Sequence, residues 1–235
     1  MIIFCFLTYN DIIPLKDWNL FFKNIPNDLY QVWIHPKSNV HKDLYEFPIH
    51  VVQNKVITIH KSHISIVKAI LQLFKEAIEH KNEGKLIFCS QNCIPLYDFD
   101  FYHKFVNDLD KSVISSIDFN CKNRYIQLHN ELKKYISYLG FVKQQPNMIL
   151  VYDDVKLLVE KNLTMHFKDM ICPDEHYFIN VLLYIFKRNI IKSQTHFCNY
   201  DLHKTQALKF YNPGNELKNL IKKMGFLFMR KVYYT

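Results

Sequence analysis

Glycine occurs only four times in the 235 residues, and no stretch has the composition of a linker, a repeat or a low-complexity tract. Disorder is thereby excluded, and no internal boundary is marked. Residues 1–235 are read as a single domain, long enough to bury a proper core. The six cysteines, at 5, 89, 93, 121, 172 and 198, contain no Cys-x-x-Cys pair. A chain of this size needs no disulfide staples, so free thiols in a reducing compartment are expected. Long hydrophobic runs are also missing. The apolar opening "MIIFCFL" lasts about seven residues, too short for a membrane span and without the basic lead of a signal peptide. A soluble, cytoplasmic protein is expected, in which the sequon Asn162-Leu163-Thr164 is a coincidence.

What is plentiful is apolar and basic. Hydrophobic residues make up 49% of the chain and the formal net charge is +8. Such a charge favours an anionic partner: nucleic acid, an acidic membrane face or a phosphorylated small molecule. Part of it is a diffuse bias, since the lysines are scattered.

The hydrophobic pattern alternates between strands and helices. "MIIFCFL" (1–7), "LYQVWIH" (29–35), "KLIFCS" (85–90), "SVISSI" (112–117) and "NMILVYD" (147–153) read as strands, and "FLFMRKVYY" (226–234) as a terminal one. Helices are predicted over 14–25, 62–80, 99–109, 124–139, 154–162 and 216–224, with a further one starting at "CPDEHYFINVL" (172–182). Asn82-Glu83-Gly84 closes the second helix, and 193–215 reads as a long loop. Two βαβ-like units imply a three-layer α/β domain with a mixed, mostly parallel sheet. Ligands of such folds bind in the crevice at the strand C-termini, so 7–11, 35–37 and 90–95 are the positions to watch.

Three stretches together resemble one family. "KLIFCSQNCIPLYDFD" (85–100) is similar to its strand followed by Ser-x-x-Cys-Ile-Pro-Leu-Tyr, "CPDEHYFINVL" to its Pro-Asp-Glu-His helix start, and "LFMRKVYY" (227–234) to its terminal Leu-Phe-x-Arg-Lys-Phe strand. The family is the core-2/I-branching glycosyltransferases, which includes the β-1,6-N-acetylglucosaminyltransferases and the peptide O-xylosyltransferases. The resemblance implies a GT-A-like, Rossmann-like fold and an inverting, metal-independent transfer. A sugar, N-acetylglucosamine first and xylose second, would pass from a UDP-sugar to a hydroxyl of a glycan or protein acceptor.

Single displacement needs a carboxylate on the acceptor side to take the hydroxyl proton. Glu175 matches the family's base by its place in Pro-Asp-Glu. Proline and acids in a first helical turn also serve simply to start a helix. Asp174 is read as the acid on the cap side, and His176 as packing against or orienting its neighbours. The departing diphosphate needs fixed cations or a metal. Arg230 and Lys231 are adjacent in the predicted terminal strand, so their side chains point to opposite faces. The family pattern gives the diphosphate to Lys231, with Arg230 second; the alternative is a pair of solvated charges on an edge strand. His203 and Lys204 are candidates for a second basic contact.

For the donor, "FLTYND" (6–11) matches the family's turn after the first strand, which implicates Leu7, Thr8 and Tyr9. His35 and Ser65 match further family positions. Pro36 stands where an Asp-containing turn is usual, Ile64 replaces a Trp, Pro146 replaces another Trp and Tyr152 an Arg; these departures fall near sugar and acceptor contacts. Asp98-Phe99-Asp100 and Asp108-Leu109-Asp110 have the spacing of a metal-holding Asp-x-Asp. Both also suit helix ends, so no metal is expected and Asp98/Asp100 is the fallback. No set of His and Cys has ligand spacing, and His60/His63 and His41/His50 read as surface or core residues. Two other classes are kept open. A nucleic-acid-binding module would concentrate its charge in one stripe with exposed aromatics, whereas these aromatics fall on predicted core positions. A catalytically silent relative would bind the nucleotide sugar without turnover.

Overall fold

β1 (Ile2–Thr8) is apolar at all but its last position because both of its faces are covered. In the computed structural model, which describes residues 1–60, 63–81, 83–117, 121–199 and 207–234 and omits the side chains of Lys122 and Pro146, the strand's alternation divides these residues between two cores. Ile3 and Cys5 join one core and Ile2, Phe4 and Phe6 the other.

Between β1 and the parallel β2 (Tyr30–Pro36) runs α1 (Leu15–Phe22), which buries Trp18, Phe21 and Phe22. β3 (His50–Val51) extends the sheet beyond β2. α2 (Ser65–His80) covers the opposite face with Ile70, Leu73, Phe74 and Ala77 and returns the chain to β4 (Lys85–Ser90), parallel to β1. β5 (Ile94–Pro95) and α3 (Phe99–Asn107) follow, then β6 (Val113–Ile117), the short helices α4 (Lys122–Ile126) and α5 (Asn130–Lys133), and β7 (Lys143–Val151). The main sheet has the order β3-β2-β1-β4-β7-β6, with β7 antiparallel to both neighbours. This is the expected three-layer α/β architecture with a mixed, largely parallel sheet.

The remainder of the chain adds two helices to the α2 face of that sheet and then the short strands of two further sheets. α6 (Tyr152–Lys161) and α7 (Tyr177–Asn180) precede β8 (His196–Cys198), β9 (Phe210–Tyr211), α8 (Asn215–Lys223), β10 (Phe228–Arg230) and β11 (Val232–Tyr233). β10 lies between β5 and β8, while β11 pairs with β9. The Val232 N–H donates to the Asn92 carbonyl at 2.9 Å and Asn92 Nδ2 to the Tyr233 hydroxyl at 3.0 Å. The C-terminal strands are thereby tied to the turn that follows β4, at the C-terminal edge of the parallel strands.

Several elements differ from the sequence reading. The helix expected over 124–139 is broken, because His129 is extended (φ −61°, ψ 140°) and its ring accepts the Glu131 N–H in place of a helical partner. Leu132 is then buried from α5, and Leu128 and Ile136 from the bends on either side of it, rather than all three from one continuous helix. The terminal strand is two strands in two sheets, and the supposed loop 193–215 contributes β8 and β9. β7 begins at Lys143, four residues before the expected start, while Tyr152 opens α6 and does not end the strand. Pro173 opens a single 3-10 turn, Pro173–Glu175, followed by α7 and the wider π turn Val181–Ile185. Ser62 and Asn82, at the expected ends of the second helix, lie outside the described residues, as do His203 and Lys204.

Candidate active site

The C-terminal ends of β1 and β2 open into a hollow of about 370 Å³ lined by Leu7, Thr8, Tyr9, His35, Lys37, Thr58, His60, Ile66 and Gln91. Four of the donor candidates thus share one depression. Gln91 accepts the Tyr9 N–H on Oε1 at 2.5 Å, and Thr8 Oγ1 donates to the Asn10 carbonyl at 2.6 Å, so the turn after β1 is held by one of its own hydroxyls and by the turn that follows β4. Lys37 carries its ammonium 5.8 Å from the Tyr9 ring centre. His35 is buried, and its Nε2 accepts the Val56 N–H at 3.0 Å. Burial lowers its pKa and keeps the ring neutral, with the proton on Nδ1, which has no hydrogen-bond partner. Ser65 does not line the hollow: its Oγ accepts the Ile59 N–H at 3.0 Å and positions the wall that carries Thr58 and His60.

The Pro-Asp-Glu turn reaches the same edge of the sheet through β7. Because Phe88 of β4 pairs with Met148 of the antiparallel β7, the first residues of β7 run past the end of β4 toward the C-terminal edge. Lys143 is the first of them, and its Nζ lies 3.0 Å from Glu175 Oε2, with both side chains partly exposed. The turn is docked onto β7 by buried amides. Gln144 Oε1 accepts the Ile179 N–H at 2.7 Å, Asn180 Nδ2 donates to the Val142 carbonyl at 2.7 Å, and Asn180 Oδ1 accepts the Val142 N–H at 2.9 Å.

His176 completes that docking. It is buried, stacks on Phe141 with centroids 4.9 Å apart, and its Nδ1 donates to the Val142 carbonyl at 3.1 Å. Burial pushes its pKa down to about 4, so near neutrality the ring is uncharged. Asp174 is not a cap. Cys172 enters the left-handed region (φ 55°) just before the turn, no side chain caps it, and Asp174 is turned inward with Oδ1 buried and unpartnered. Burial first, then the neighbouring Glu175 charge, raises the Asp174 pKa to about 7. Lys143 and Arg230 oppose that rise.

The two adjacent acids therefore differ in environment: one is largely buried and holds its proton into the neutral range, while the other is paired with a lysine at the surface. The folded chain retains the Asp174 proton that the unfolded chain releases at the ordinary 3.8, so this residue's stabilising share is present at low pH and lost as pH rises from 3.8 toward 7. Asp174→Asn is expected to gain in melting temperature over the parent across that window and to hold a level advantage above it. Parallel Tm–pH curves for the two proteins would contradict the buried, protonated carboxyl.

Arg230, on β10, is 9% exposed and its Nε has no partner. The alternation of β10 puts it on the side of Phe228, which stacks on the buried His196 with centroids 4.4 Å apart. Its charge helps to lower the pKa of His196 and opposes the rise in that of Asp174. Lys231 lies in the break between β10 and β11, is half-buried, and its carbonyl accepts the Phe210 N–H at 2.7 Å. The alternative reading, two solvated charges on an edge strand, does not fit a buried Arg230 and a half-buried Lys231.

Asp98 is engaged elsewhere. Its Oδ1 accepts the Phe101 N–H at 3.0 Å as the cap of α3, and with Asp100 it lines a different hollow, between α1 and the start of α3. Asp108 stands at the other end of that helix. Pro36 and Ile64 are buried packing residues, and Tyr152 packs against the α2-side core. Lys37 and Gln91 fall within the strand-end ranges read from the sequence. Lys143, Thr58 and His60 do not, and no motif marks them.

A family model described as core-2/I-branching enzyme matches residues 2–225. No curated protein sequence matches the chain. Among solved structures, the chain is similar to the galactosyltransferase LgtC in complex with donor and acceptor sugar analogs, at 11% identity, covering 83% of this chain and 75% of that one with a TM-score of 0.47. It is also similar to the WbbM bifunctional glycosyltransferase, at 11% identity, covering 96% of this chain and 45% of that one with a TM-score of 0.48. With the family match spanning nearly its whole length, the chain belongs to the core-2/I-branching enzyme family and is a glycosyltransferase.

Proposed function

We propose that the chain moves a sugar from a UDP-sugar to a hydroxyl of a glycan or protein acceptor by a single, inverting displacement that needs no metal ion. N-acetylglucosamine is the first donor to test and xylose the second. The nucleotide occupies the hollow formed by Leu7, Thr8, Tyr9 and His35, whose far wall Ser65 supports. The Glu175 carboxylate takes the acceptor proton as the oxygen attacks the anomeric carbon, and Lys143 holds that carboxylate in place. Asp174, protonated in the neutral range, offers a hydrogen bond to a substrate hydroxyl or carbonyl. Lys231 faces the leaving diphosphate, and Arg230 keeps the acidic turn from accumulating uncompensated charge.

One observation supports this reading above the others: a hollow into which Thr8, His35, Lys37 and Gln91 bring polar groups and a lysine-paired carboxylate stand at the same C-terminal edge of the sheet, where α/β folds bind their ligands. The aromatic residues that a nucleic-acid-binding surface would expose are mostly core, Phe4, Phe6, Trp18, Phe74, Phe178 and Phe228 among them. The test is thermal. UDP at about 100 times its dissociation constant should stabilise the chain by about 2.7 kcal/mol, and should do so with EDTA present. Stabilisation that requires Mn²⁺ would restore a metal to the site. A hydrolysis and transfer screen over a panel of UDP-sugars then identifies the donor.

A further inference from the structure

His129, Glu131 and His166 lie together on the surface, apart from the active-site hollow. His129 precedes α5 and Glu131 sits in its first turn, while His166 belongs to the 3-10 turn Thr164–Phe167. The His129 N–H donates to the His166 carbonyl at 3.3 Å, which fixes the two segments side by side. Glu131 Oε2 lies 3.6 Å from His166 Nδ1 and 3.9 Å from His129 Nδ1. One ligand atom from each of the three residues lies within 4.8 Å of the others.

We propose that this triad binds a divalent transition-metal ion, zinc in the first instance, with water completing the coordination. Two imidazoles and one carboxylate form a donor set suited to a borderline ion and unsuited to Ca²⁺ or Mg²⁺, which favour oxygen alone. Zinc bonds to nitrogen and oxygen are about 2.0–2.2 Å long, so ligand atoms around one ion stand somewhat closer together than these three do. The remaining gap closes by side-chain rotation alone, because Glu131 and His129 have side chains 65% and 50% exposed and His166 is half-buried. The hydrogen bond that His129 Nδ1 accepts from the Glu131 N–H is long, at 3.4 Å, and gives way to coordination.

The ion acts as a clamp rather than as a catalyst. The segment carrying His129 and Glu131 leads into β7 and Lys143, and the segment carrying His166 leads into the Pro173–Glu175 turn. A second tie already joins them, since Gln127 Oε1 accepts the Ile171 N–H at 2.9 Å. Zinc at the triad would fix the spacing of the two loops that bring Lys143 to Glu175, whether or not those residues carry the proposed chemistry.

The full chain, stripped with a chelator, is titrated with ZnCl₂ while melting temperature is followed, and with Co²⁺ while visible absorption is followed. One ion per chain, a zinc-dependent rise in Tm and the d–d bands of a low-coordinate cobalt site are expected. His166→Ala and Glu131→Gln should each weaken binding by at least an order of magnitude and remove the bands. Both variants should keep the metal-free Tm of the parent, which separates lost coordination from lost folding. No zinc-dependent shift in the parent overturns the proposal. Binding retained in the variants overturns it equally, and would move the ion to histidines such as the His60/His63 or His50/His80 pairs, whose rings lie 5.4 Å and 4.8 Å apart.

Discussion

Glu175→Gln is expected to lower the turnover of sugar transfer by about 10²–10⁴-fold, the usual worth of a general base, while UDP still raises the melting temperature as it does in the parent. The amide keeps the size of the carboxylate and cannot accept the proton. Glu175 belongs to a one-turn element docked by Gln144, Asn180 and His176, none of which the substitution touches. Its ion pair with Lys143 is partly exposed and contributes little to stability, so the variant should fold. Measured under saturating donor, the loss should fall on kcat, because a proton acceptor acts in the transition state and not in donor binding. Undiminished transfer would remove the base role from Glu175.

Lys231→Met should reduce kcat by about 10²–10³-fold, as the loss of one fixed charge opposite a developing anion does. Lys231→Arg should recover part of the rate, since the charge returns in a different shape. Arg230→Met should behave differently. The Arg230 charge opposes the rise in the Asp174 pKa, so its removal should move that titration to higher pH and shift the pH–rate profile with it. If Arg230→Met gives the larger loss in kcat with an unmoved profile, the diphosphate role passes from Lys231 to Arg230.

The repeating units of the fold were legible because strands buried on both faces read as unbroken apolar runs and α2 carries a clear one-sided stripe. β1, β2 and β4 therefore stand within a residue of expectation, and α2 begins three residues later than expected and ends where expected. Short pairings were not legible. β8, β9 and β11 have two or three residues each and owe their extended form to partners far away in the chain. The break in the helix expected over 124–139 was not legible either, because it depends on His129 adopting an extended backbone while its ring accepts the Glu131 N–H.

The site divides along similar lines. Motif and strand-end position indicated Leu7, Thr8, Tyr9, His35 and Glu175, and adjacency in "PDEH" indicated Asp174 and His176. No pattern pointed to Lys143, which meets Glu175 only because β7 runs antiparallel past the end of β4. Nor did any spacing reveal the histidine pair with Glu131, whose members come from two separate segments. The linear order of residues by itself determined which stretches are apolar on one face or both, and therefore the layers, the sheet and the edge at which the candidate site lies. Tertiary structure alone decided which charges meet across that edge, and which of two neighbouring carboxyls is buried and which is paired. Burial and distance set the energy of an ionised group, and both are properties of the folded chain.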